Sequence, residues 1–315
     1  METRPLGSSG LKASLVGLGC NNFGMKLDLE ATRAVLNAAL DAGVTFWDTA
    51  DLYGGTKSEE FIGQILGPRR KEVVLATKFG GMAYMSKKGE RWGTREYMVK
   101  CLEASLKRLQ TDWIDLYQVH FPDSNTPIEE TMLALDEVVR QGKVRAIGCS
   151  NYTAAMIAES DAIKKARNCA GFATAQNEWS LLKRDVERDA IPACDQYGLG
   201  QLPFFPLASG LLTGKYRRGE AFAPGTRLAT FTFAQGMATE ENFAKIEALQ
   251  AFADKHGRSL LDLAMSWLAA QSSVSSVIAG ATTPEQVRTN AAAGGWKLSA
   301  QDLAEINKLA PLPPV

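Results

Sequence analysis

The chain alternates between short apolar runs and longer segments in which apolar residues recur every three to four positions. The short runs predict buried strands, and the longer segments predict amphipathic helices. The predicted strands cover residues 15–19, 44–48, 73–78, 114–120, 144–148, 173–176, 199–205 and 274–279. The predicted helices cover residues 29–42, 57–66, 94–109, 128–141, 153–166, 186–197, 259–271 and 284–293.

This strict alternation, with no break in composition, predicts an α/β protein in which residues 1–315 form a single closed (β/α)8 TIM barrel. The alternative is an open, doubly wound sheet, which usually carries G-x-G-x-x-G after its first strand. Gly17, Gly19 and Gly24 do not have that spacing. The pattern therefore favours the barrel.

Three segments lie outside the repeating pattern. Residues 1–14 predict a β-hairpin around Gly7-Ser8-Ser9-Gly10 that caps the bottom of the barrel. Residues 206–240 form a long connection rich in Gly, Thr and Phe, and loops of this length are usually functional or mobile. Residues 298–315 predict one more amphipathic helix followed by a Pro-rich tail.

Composition narrows the class of protein. The chain has 315 residues, and its 35 Lys and Arg balance its 35 Asp and Glu, so no global field attracts nucleic acid or an anionic membrane. The five cysteines are dispersed, and two histidines are too few for a usual multi-histidine metal site. No signal peptide or membrane-length apolar run is present. We therefore expect a cytoplasmic protein that binds no metal and is by default a monomer.

Four polar residues follow predicted strands. Asp48, Lys78 and His120 each stand at a strand end, and Tyr53 lies in the loop after Asp48. Because the carboxyl ends of parallel strands share one face of a barrel, we expect these side chains to meet. Separately they have ordinary interpretations: an N-cap Asp, a packing Tyr, a solvated Lys and a structural His. Together they predict a catalytic tetrad.

The residue types suit proton donation to a carbonyl oxygen. Tyrosine has a pKa of about 10, and a nearby ammonium lowers it. We expect Asp48 to pair with Lys78, Lys78 to lie beside Tyr53, and Tyr53 to act as general acid. His120 would orient the carbonyl group or donate a second hydrogen bond.

Longer motifs surround these residues. They are WDTADLYG at 47–54, DLYQVH at 115–120, GKVRAIGCSN at 142–151 and PLASGLLTGK at 206–215. In order and spacing they resemble the motifs of the aldo-keto reductase family, in particular its bacterial-type, NADPH-dependent branch. The resemblance implies a barrel that binds NADP(H) in an extended form and reduces a small-molecule aldehyde or ketone.

The resemblance also implies which residues bind the cofactor. The nicotinamide would contact Ser150, Asn151, Gln176 and Phe204, with Phe204 stacking on the ring where many members have Tyr. The pyrophosphate would contact Leu207, Ser209, Gly210, Leu211 and Lys215, and the loop at 206–240 would clamp the cofactor. The adenosine end would contact Arg227, Gly280, Thr282, Gln286 and Asn290.

The adenosine end departs from many family members, which carry Lys-Ser and an Arg for the 2′-phosphate. This chain has Gly280-Ala281-Thr282 and Gln286 there. Arg227 and Arg288 are candidates to replace the missing cations. We expect NADPH to be preferred and NADH to bind more weakly.

The substrate pocket should be formed by loops above the tetrad. An aromatic wall would suit apolar or aromatic carbonyl compounds. The candidate residues are Asn22, Phe23, Phe79, Tyr84, Trp92, Phe121 and Trp179.

Two other functions fit the same residues. One is a cofactor-binding regulatory or redox-sensing subunit, as in potassium-channel β subunits. The other is a dehydrogenase that oxidises a sugar or a pyridoxal-type alcohol with the same tetrad. The intact tetrad favours carbonyl reduction over the regulatory function.

Overall fold

The computed structural model describes residues 1–86 and 89–313, and its strands build a closed barrel. The ten strands among these residues are β1 (Thr3–Pro5), β2 (Lys12–Ser14), β3 (Val16–Gly19), β4 (Phe46–Asp48), β5 (Val74–Phe79), β6 (Ile114–Val119), β7 (Val144–Ser150), β8 (Phe172–Gln176), β9 (Gly200–Gln201) and β10 (Val277–Gly280). Strands β3 to β10 form one parallel sheet in the order β10-β3-β4-β5-β6-β7-β8-β9. A parallel bridge between Gln201 and Val274 joins its two edges. The predicted (β/α)8 barrel is confirmed.

The strands are buried on both faces, which explains their continuous apolar runs. Alternate residues fill the barrel interior or pack against the helices. The interior residues include Phe46, Ala76, Leu116 and Ala146. The residues that face the helices include Trp47, Leu75, Tyr117 and Ile147.

Strand β9 is shorter than the predicted strand at 199–205. Pro203 and Pro206 have no N–H to donate to a ladder, so regular pairing stops after Gln201. Phe204 retains a single bridge to Glu178. The chain therefore leaves the barrel early and enters the loop at 206–240.

The helices surround the barrel at the predicted places, with ends shifted by a few residues. They are α1 (Leu29–Asp41), α2 (Lys57–Leu66), α3 (Gly81–Ser86), α4 (Arg95–Leu109), α5 (Ile128–Arg140), α6 (Ala154–Arg167), α7 (Ala190–Tyr197), α8 (Arg227–Thr230), α9 (Thr232–Gln235), α10 (Glu240–Lys255), α11 (Leu260–Ala269), α12 (Pro284–Ala293) and α13 (Ala300–Leu309). Side chains of Asp28, Thr94 and Thr153 accept backbone N–H groups at three N-termini. These caps satisfy donors that a helix start leaves free.

Helix α10 was missed by the sequence prediction. Its start has a clear signal, because Thr239 caps the helix and two glutamates follow it. Its buried face is formed by Phe243, Ile246, Leu249, Phe252 and Ala253. The loop at 206–240 also holds a 3-10 segment, Ala208–Thr213, and the short helices α8 and α9.

The hairpin β1–β2 lies across the amino ends of the barrel strands. Leu6, at its turn, is fully buried among interior residues of the barrel. Gly7 has φ +53, and a Cβ there would lie 1.8 Å from the carbonyl oxygen of Ala173. The hairpin therefore covers the amino end of the barrel, as the sequence predicts. Among residues 1–86 and 89–313, no helix is both long and apolar enough to cross a bilayer.

Candidate active site

A cavity of about 720 Å³ opens at the carboxyl ends of the barrel strands. Asp48, Tyr53 and His120 all line it. The topology explains this meeting, since β4, β5 and β6 are adjacent parallel strands in register. The fully buried Lys78 lies beneath them on β5.

Lys78 connects the acid and the phenol. Its Nζ donates to Asp48 Oδ2 at 2.6 Å and to the Thr49 carbonyl oxygen at 2.9 Å, and it lies 3.4 Å from Tyr53 Oη. Burial alone would lower the pKa of Lys78, but Asp48 and Tyr53 together raise it. The ammonium therefore stays charged beneath the phenol.

The second oxygen of Asp48 is held by two amides. Gln118 Nε2 donates to Asp48 Oδ1 at 3.1 Å, and Gln176 Nε2 donates to it at 3.0 Å. Both carboxylate oxygens thus have donors, as a buried ion pair requires. Sequence reasoning missed Gln118, although it stands two residues before His120 on the same face of β6.

Tyr53 begins the 3-10 turn Tyr53–Thr56, and its hydroxyl is directed to the cavity above Lys78. Burial raises the pKa of Tyr53, and Lys78 offsets only part of that increase. This differs from the expectation that the ammonium lowers the pKa below its usual value. The phenol therefore keeps its proton at neutral pH, which is the form that a general acid requires.

His120 faces Tyr53 edge-on, with ring centroids 5.9 Å apart. Burial, together with the charge of Lys78, holds the pKa of His120 well below its usual range. The imidazole is therefore neutral. Phe121 stacks on it at 4.7 Å, and Tyr84 from α3 stacks on Phe121 at 3.9 Å.

Most of the predicted cofactor residues line the same cavity. They are Ser150, Asn151, Gln176, Phe204, Leu207, Ser209, Gly210, Lys215, Arg227, Gly280, Thr282, Gln286 and Asn290. Leu211 is the exception, because its side chain is fully buried in the apolar core. Thr153, rather than Ser150 or Asn151, caps helix α6. Asn151 Nδ2 instead donates to the His120 carbonyl oxygen at 3.0 Å.

The turn at 208–210 has the features of a phosphate site. Ala208, Ser209 and Gly210 all have positive φ, so the backbone makes a tight turn here, in which Ala208 N donates to the Phe205 carbonyl oxygen and Gly210 N to that of Leu207. The Ser209 hydroxyl is buried without a hydrogen-bond partner. Lys215 Nζ lies 3.0 Å from the position that a Cβ of Gly210 would take. The orphan hydroxyl, the cation and the tight glycine fit the pyrophosphate of a dinucleotide.

The adenosine end is lined by uncharged groups. Gln286 Oε1 accepts from Thr282 N at 2.8 Å and from Thr282 Oγ1 at 3.1 Å. Arg288 pairs with Glu285 at the surface and does not line the cavity. Arg227 lines the cavity, where it stacks on Phe205 and is close enough to Tyr53 for their charges to interact.

Lys26 is a cavity residue that sequence reasoning missed. It lies in the loop between β3 and α1, and burial followed by Arg227 and Lys215 lowers its pKa. Among the residues that the structure describes, none of these three cations has an ion-pair partner. The cavity therefore offers three positive charges, unpaired in the described part of the chain, which suit an anionic ligand.

The predicted substrate residues divide into three groups. Asn22 and Phe121 line the cavity, while Tyr84 and Trp92 pack beside Phe121. Asn22 Nδ2 donates to the Ala281 carbonyl oxygen. Residues that line the cavity but were not predicted include Asn21, Leu52, Met85 and Phe205.

Phe23, Phe79 and Trp179 do not line the cavity, which corrects the sequence expectation. Phe23 and Phe79 are fully buried in the apolar core, where Phe79 faces the helices and stacks on Tyr117 at 5.0 Å. Trp179 packs on Trp267 and donates from Nε1 to Glu187. An aromatic residue near the end of a strand can point to the cavity or to the core, and the side chains of these three residues are buried in the core.

Comparisons with known proteins agree with this geometry. Residues 15–311 match the model of the Aldo/keto reductase family. The "Probable voltage-gated potassium channel subunit beta" of Oryza sativa subsp. japonica is 38% identical over 299 residues, covering 92% of this chain and 90% of that protein. The "Uncharacterized oxidoreductase YrpG" of Bacillus subtilis (strain 168) is 35% identical, covering 99% and 97%.

A third relative has a named reaction. The "L-glyceraldehyde 3-phosphate reductase" of Escherichia coli (strain K12) is 33% identical over 322 residues, covering 98% of this chain and 92% of that protein. The family match covers most of the barrel, including every residue of the tetrad. The chain belongs to the aldo/keto reductase family of oxidoreductases.

Proposed function

We propose that the protein reduces an aldehyde or ketone to an alcohol with hydride from NADPH. The observation that carries the proposal is the position of Lys78, between the Asp48 carboxylate and the Tyr53 hydroxyl. The bound cofactor supplies the hydride that a carbonyl carbon accepts. The side chains of the protein supply the proton to the carbonyl oxygen and orient the carbonyl group.

In this proposal Tyr53 donates the proton from Oη to the carbonyl oxygen. Lys78 stabilises the phenolate that remains, and Asp48 holds the ammonium in place with help from Gln118 and Gln176. The neutral His120 donates a hydrogen bond to the same oxygen, which favours the developing negative charge.

The nicotinamide end of the cofactor would be held by polar groups that are already ordered. Ser150 Oγ donates to the Gln176 carbonyl oxygen at 2.9 Å, and Asn151 Nδ2 donates to Ser150 Oγ at 3.1 Å. Phe204 would stack on the ring, because a phenyl face stacks without needing the hydroxyl of a Tyr. The turn at Ser209 and Gly210, with Lys215 and Arg227, would hold the pyrophosphate.

We propose a modest preference for NADPH over NADH. Thr282 and Gln286 would meet the 2′-phosphate with neutral donors, which form weaker contacts to phosphate than a guanidinium does. Titration of tryptophan fluorescence with each cofactor measures the ratio of affinities. Equal affinities for NADPH and NADH would contradict the preference. An affinity for NADPH more than about a thousandfold above that for NADH would require a cation that contacts the 2′-phosphate.

The loop at 206–240 would close over the bound cofactor. It contributes the Ser209 turn, Lys215 and Arg227 to one wall of the cavity. Hydrogen exchange of this segment with and without NADPH tests the closure. We expect slower exchange with NADPH, whereas unchanged exchange would contradict a clamp.

The substrate would be an apolar or aromatic carbonyl compound. Leu52, Met85 and Phe121 provide apolar surface beside the tetrad. NADPH oxidation with matched aromatic and charged aliphatic aldehydes tests this: a higher kcat/KM for the aromatic series is expected, and the reverse order would contradict it. The named reaction of the E. coli relative favours the reductive direction.

A second candidate is a regulatory subunit that binds NADPH and turns over slowly. The identity to the plant channel-subunit relatives favours it. Tight NADPH binding without multiple turnover on any carbonyl compound would support this candidate over the reductase.

A further inference from the structure

Two buried polar atoms near the tetrad have no hydrogen-bond partner among the described residues. One is Asp51 Oδ1, and the other is His120 Nδ1. The side chains are only 4% and 7% exposed. Buried polar atoms are seldom left unpaired, so each such atom calls for a specific explanation.

The two atoms face the same point. A Cβ on Gly81 would lie 2.7 Å from His120 Nδ1 and 3.1 Å from Asp51 Oδ1, and 2.1 Å from Leu52 Cδ2. Because residue 81 is glycine, no side chain of that residue separates the two polar atoms, and both lie within the reach of one bridging water beside the Gly81 backbone.

Asp51 is held in place by its backbone N–H group and by one of its two carboxylate oxygens. Its backbone N–H donates to the Lys78 carbonyl oxygen at 3.0 Å, and Oδ2 accepts from Gly80 N at 3.2 Å. Asp51 Oδ1 is the carboxylate oxygen that remains available for a hydrogen bond toward His120. His120 Nδ1 is the buried ring nitrogen, so Nε2 is the nitrogen available to the cavity.

We propose that Asp51 is a positioning residue that sets which nitrogen of His120 carries the proton, through a hydrogen-bond relay past Gly81. When Asp51 is protonated, its hydroxyl donates toward Nδ1, which then accepts, and Nε2–H can donate to the carbonyl oxygen. When Asp51 is ionised, Nδ1–H donates toward the carboxylate, and Nε2 has no proton to donate. One proton passes to solvent between the two states.

The surroundings of Asp51 place the switch between these two protonation states near neutral pH. Burial, followed by the neighbouring Glu59 carboxylate, raises the pKa of Asp51 to about 7. The hydrogen bond from Gly80 and the charges of Arg108 and Lys78 act in the opposite direction. The titratable or charged groups that face Asp51 are Glu59 on α2, Tyr97, Cys101 and Arg108 on α4, Lys78 on β5 and Tyr117 on β6.

The test uses the fact that the chain has two histidines, His120 and His256. Protein labelled with ¹⁵N-histidine gives two imidazole patterns, and a His256→Gln variant assigns them. In the NADPH-bound wild type, we expect the Nε2–H form of His120 to decrease as the pH rises through about 7. In Asp51→Asn, the side-chain amide can donate at every pH, so the Nε2–H form should persist.

Gly81→Ala is the second variant, and it keeps Asp51. Its methyl group would lie beside both polar atoms and would displace the Leu52 side chain, so the relay should be interrupted and the pH dependence of the tautomer should disappear. Asp136→Asn is the matched control, because this largely buried carboxylate lies on α5 and accepts from Ala170 N. The control should retain the wild-type pattern.

The pH dependence of kcat is the second readout, and this readout rests on the proposed reductase function. Wild-type kcat should fall several-fold between pH 6 and pH 8, while Asp51→Asn should stay level. A tautomer in Asp51→Asn or in Gly81→Ala that titrates as in the wild type would overturn the relay, and so would a wild-type tautomer that does not change with pH. If no carbonyl compound is reduced, the reductase function fails, and the NMR result still decides the relay.

Discussion

The ammonium of Lys78 lies 3.4 Å from the hydroxyl oxygen of Tyr53, beneath the floor of the cavity. Lys78 is fully buried, so this charge acts on the phenol without screening by solvent. Asp48 keeps the ammonium charged by a hydrogen bond of 2.6 Å. The geometry thus couples a structural ion pair to an acid that faces the substrate.

Removing one partner of this ion pair should damage both stability and activity. Lys78→Met leaves the Asp48 carboxylate buried and unpaired, and such changes reduce the free energy of unfolding by about 3–5 kcal/mol. The double variant Asp48→Asn, Lys78→Met should recover much of that stability but no turnover. Urea unfolding and NADPH oxidation measure the two effects; a double variant as unstable as the single one would contradict the pairing.

Replacing Gln286 by Arg should sharpen cofactor choice. If position 286 faces the 2′-phosphate, a guanidinium should tighten NADPH by about tenfold, roughly 1.4 kcal/mol, and leave NADH nearly unchanged. Arg288→Gln is the matched control, because that side chain pairs with Glu285 outside the cavity. Equal gains for both cofactors would place the 2′-phosphate elsewhere.

Lys26→Met should weaken both cofactors to a similar extent. Lys26 faces Arg227 and Lys215 across the cavity, so its loss removes positive charge where we place the pyrophosphate. We expect a loss of about tenfold in affinity, and a smaller effect of added salt on binding. Lys308→Met, on the exposed side of α13, controls for loss of charge alone. Unaltered affinity in Lys26→Met would show that Lys26 does not contact the cofactor.

Asp51 should reduce the stability of the protein at alkaline pH. Its pKa is about 7 in the fold against 3.8 for an ordinary carboxyl, so the folded state binds the proton more tightly. Tighter proton binding at Asp51 contributes to the stability of the folded state. That stabilisation is fully present below pH 3.8 and is lost as the pH rises to about 7. Each pKa unit corresponds to about 1.4 kcal/mol, so ionised Asp51 costs a few kcal/mol above pH 7.

Asp51→Asn removes that cost. The variant should therefore unfold at a higher denaturant concentration than the wild type at pH 8, with a much smaller difference at pH 5. Chemical unfolding at both pH values checks this. A difference that does not change with pH would mean that the carboxyl titrates near its ordinary value.

The barrel and the tetrad were predictable from the sequence because each depends on local patterns. Alternating apolar runs set the strands, and a parallel barrel places every strand end on one face. Thus Asp48, Lys78 and His120 could be grouped without coordinates. The truncated strand β9 was not anticipated, because the effect of Pro203 depends on which neighbour its backbone would meet.

The substrate wall was less predictable. Phe79 ends strand β5 and Trp179 follows strand β8, yet both pack among the core residues, because the direction of a side chain depends on the exact residue at which the strand ends. Gln118 lies within the DLYQVH motif, but its contact with Asp48 is visible only in the structure, and Lys26 belongs to the site through tertiary contacts that no motif marks. The unpaired atoms Asp51 Oδ1 and His120 Nδ1 both lie beside Gly81, and only the structure reveals this proximity.

The most direct measurement compares wild type and Tyr53→Phe in the same experiment. Tryptophan fluorescence first gives the affinity for NADPH, and absorbance then follows NADPH oxidation after an aromatic aldehyde is added. Because the Tyr53 hydroxyl acts on the substrate, the variant should bind NADPH as tightly as wild type and lose at least about a hundredfold in kcat. Near-native turnover by Tyr53→Phe would contradict its role as the general acid.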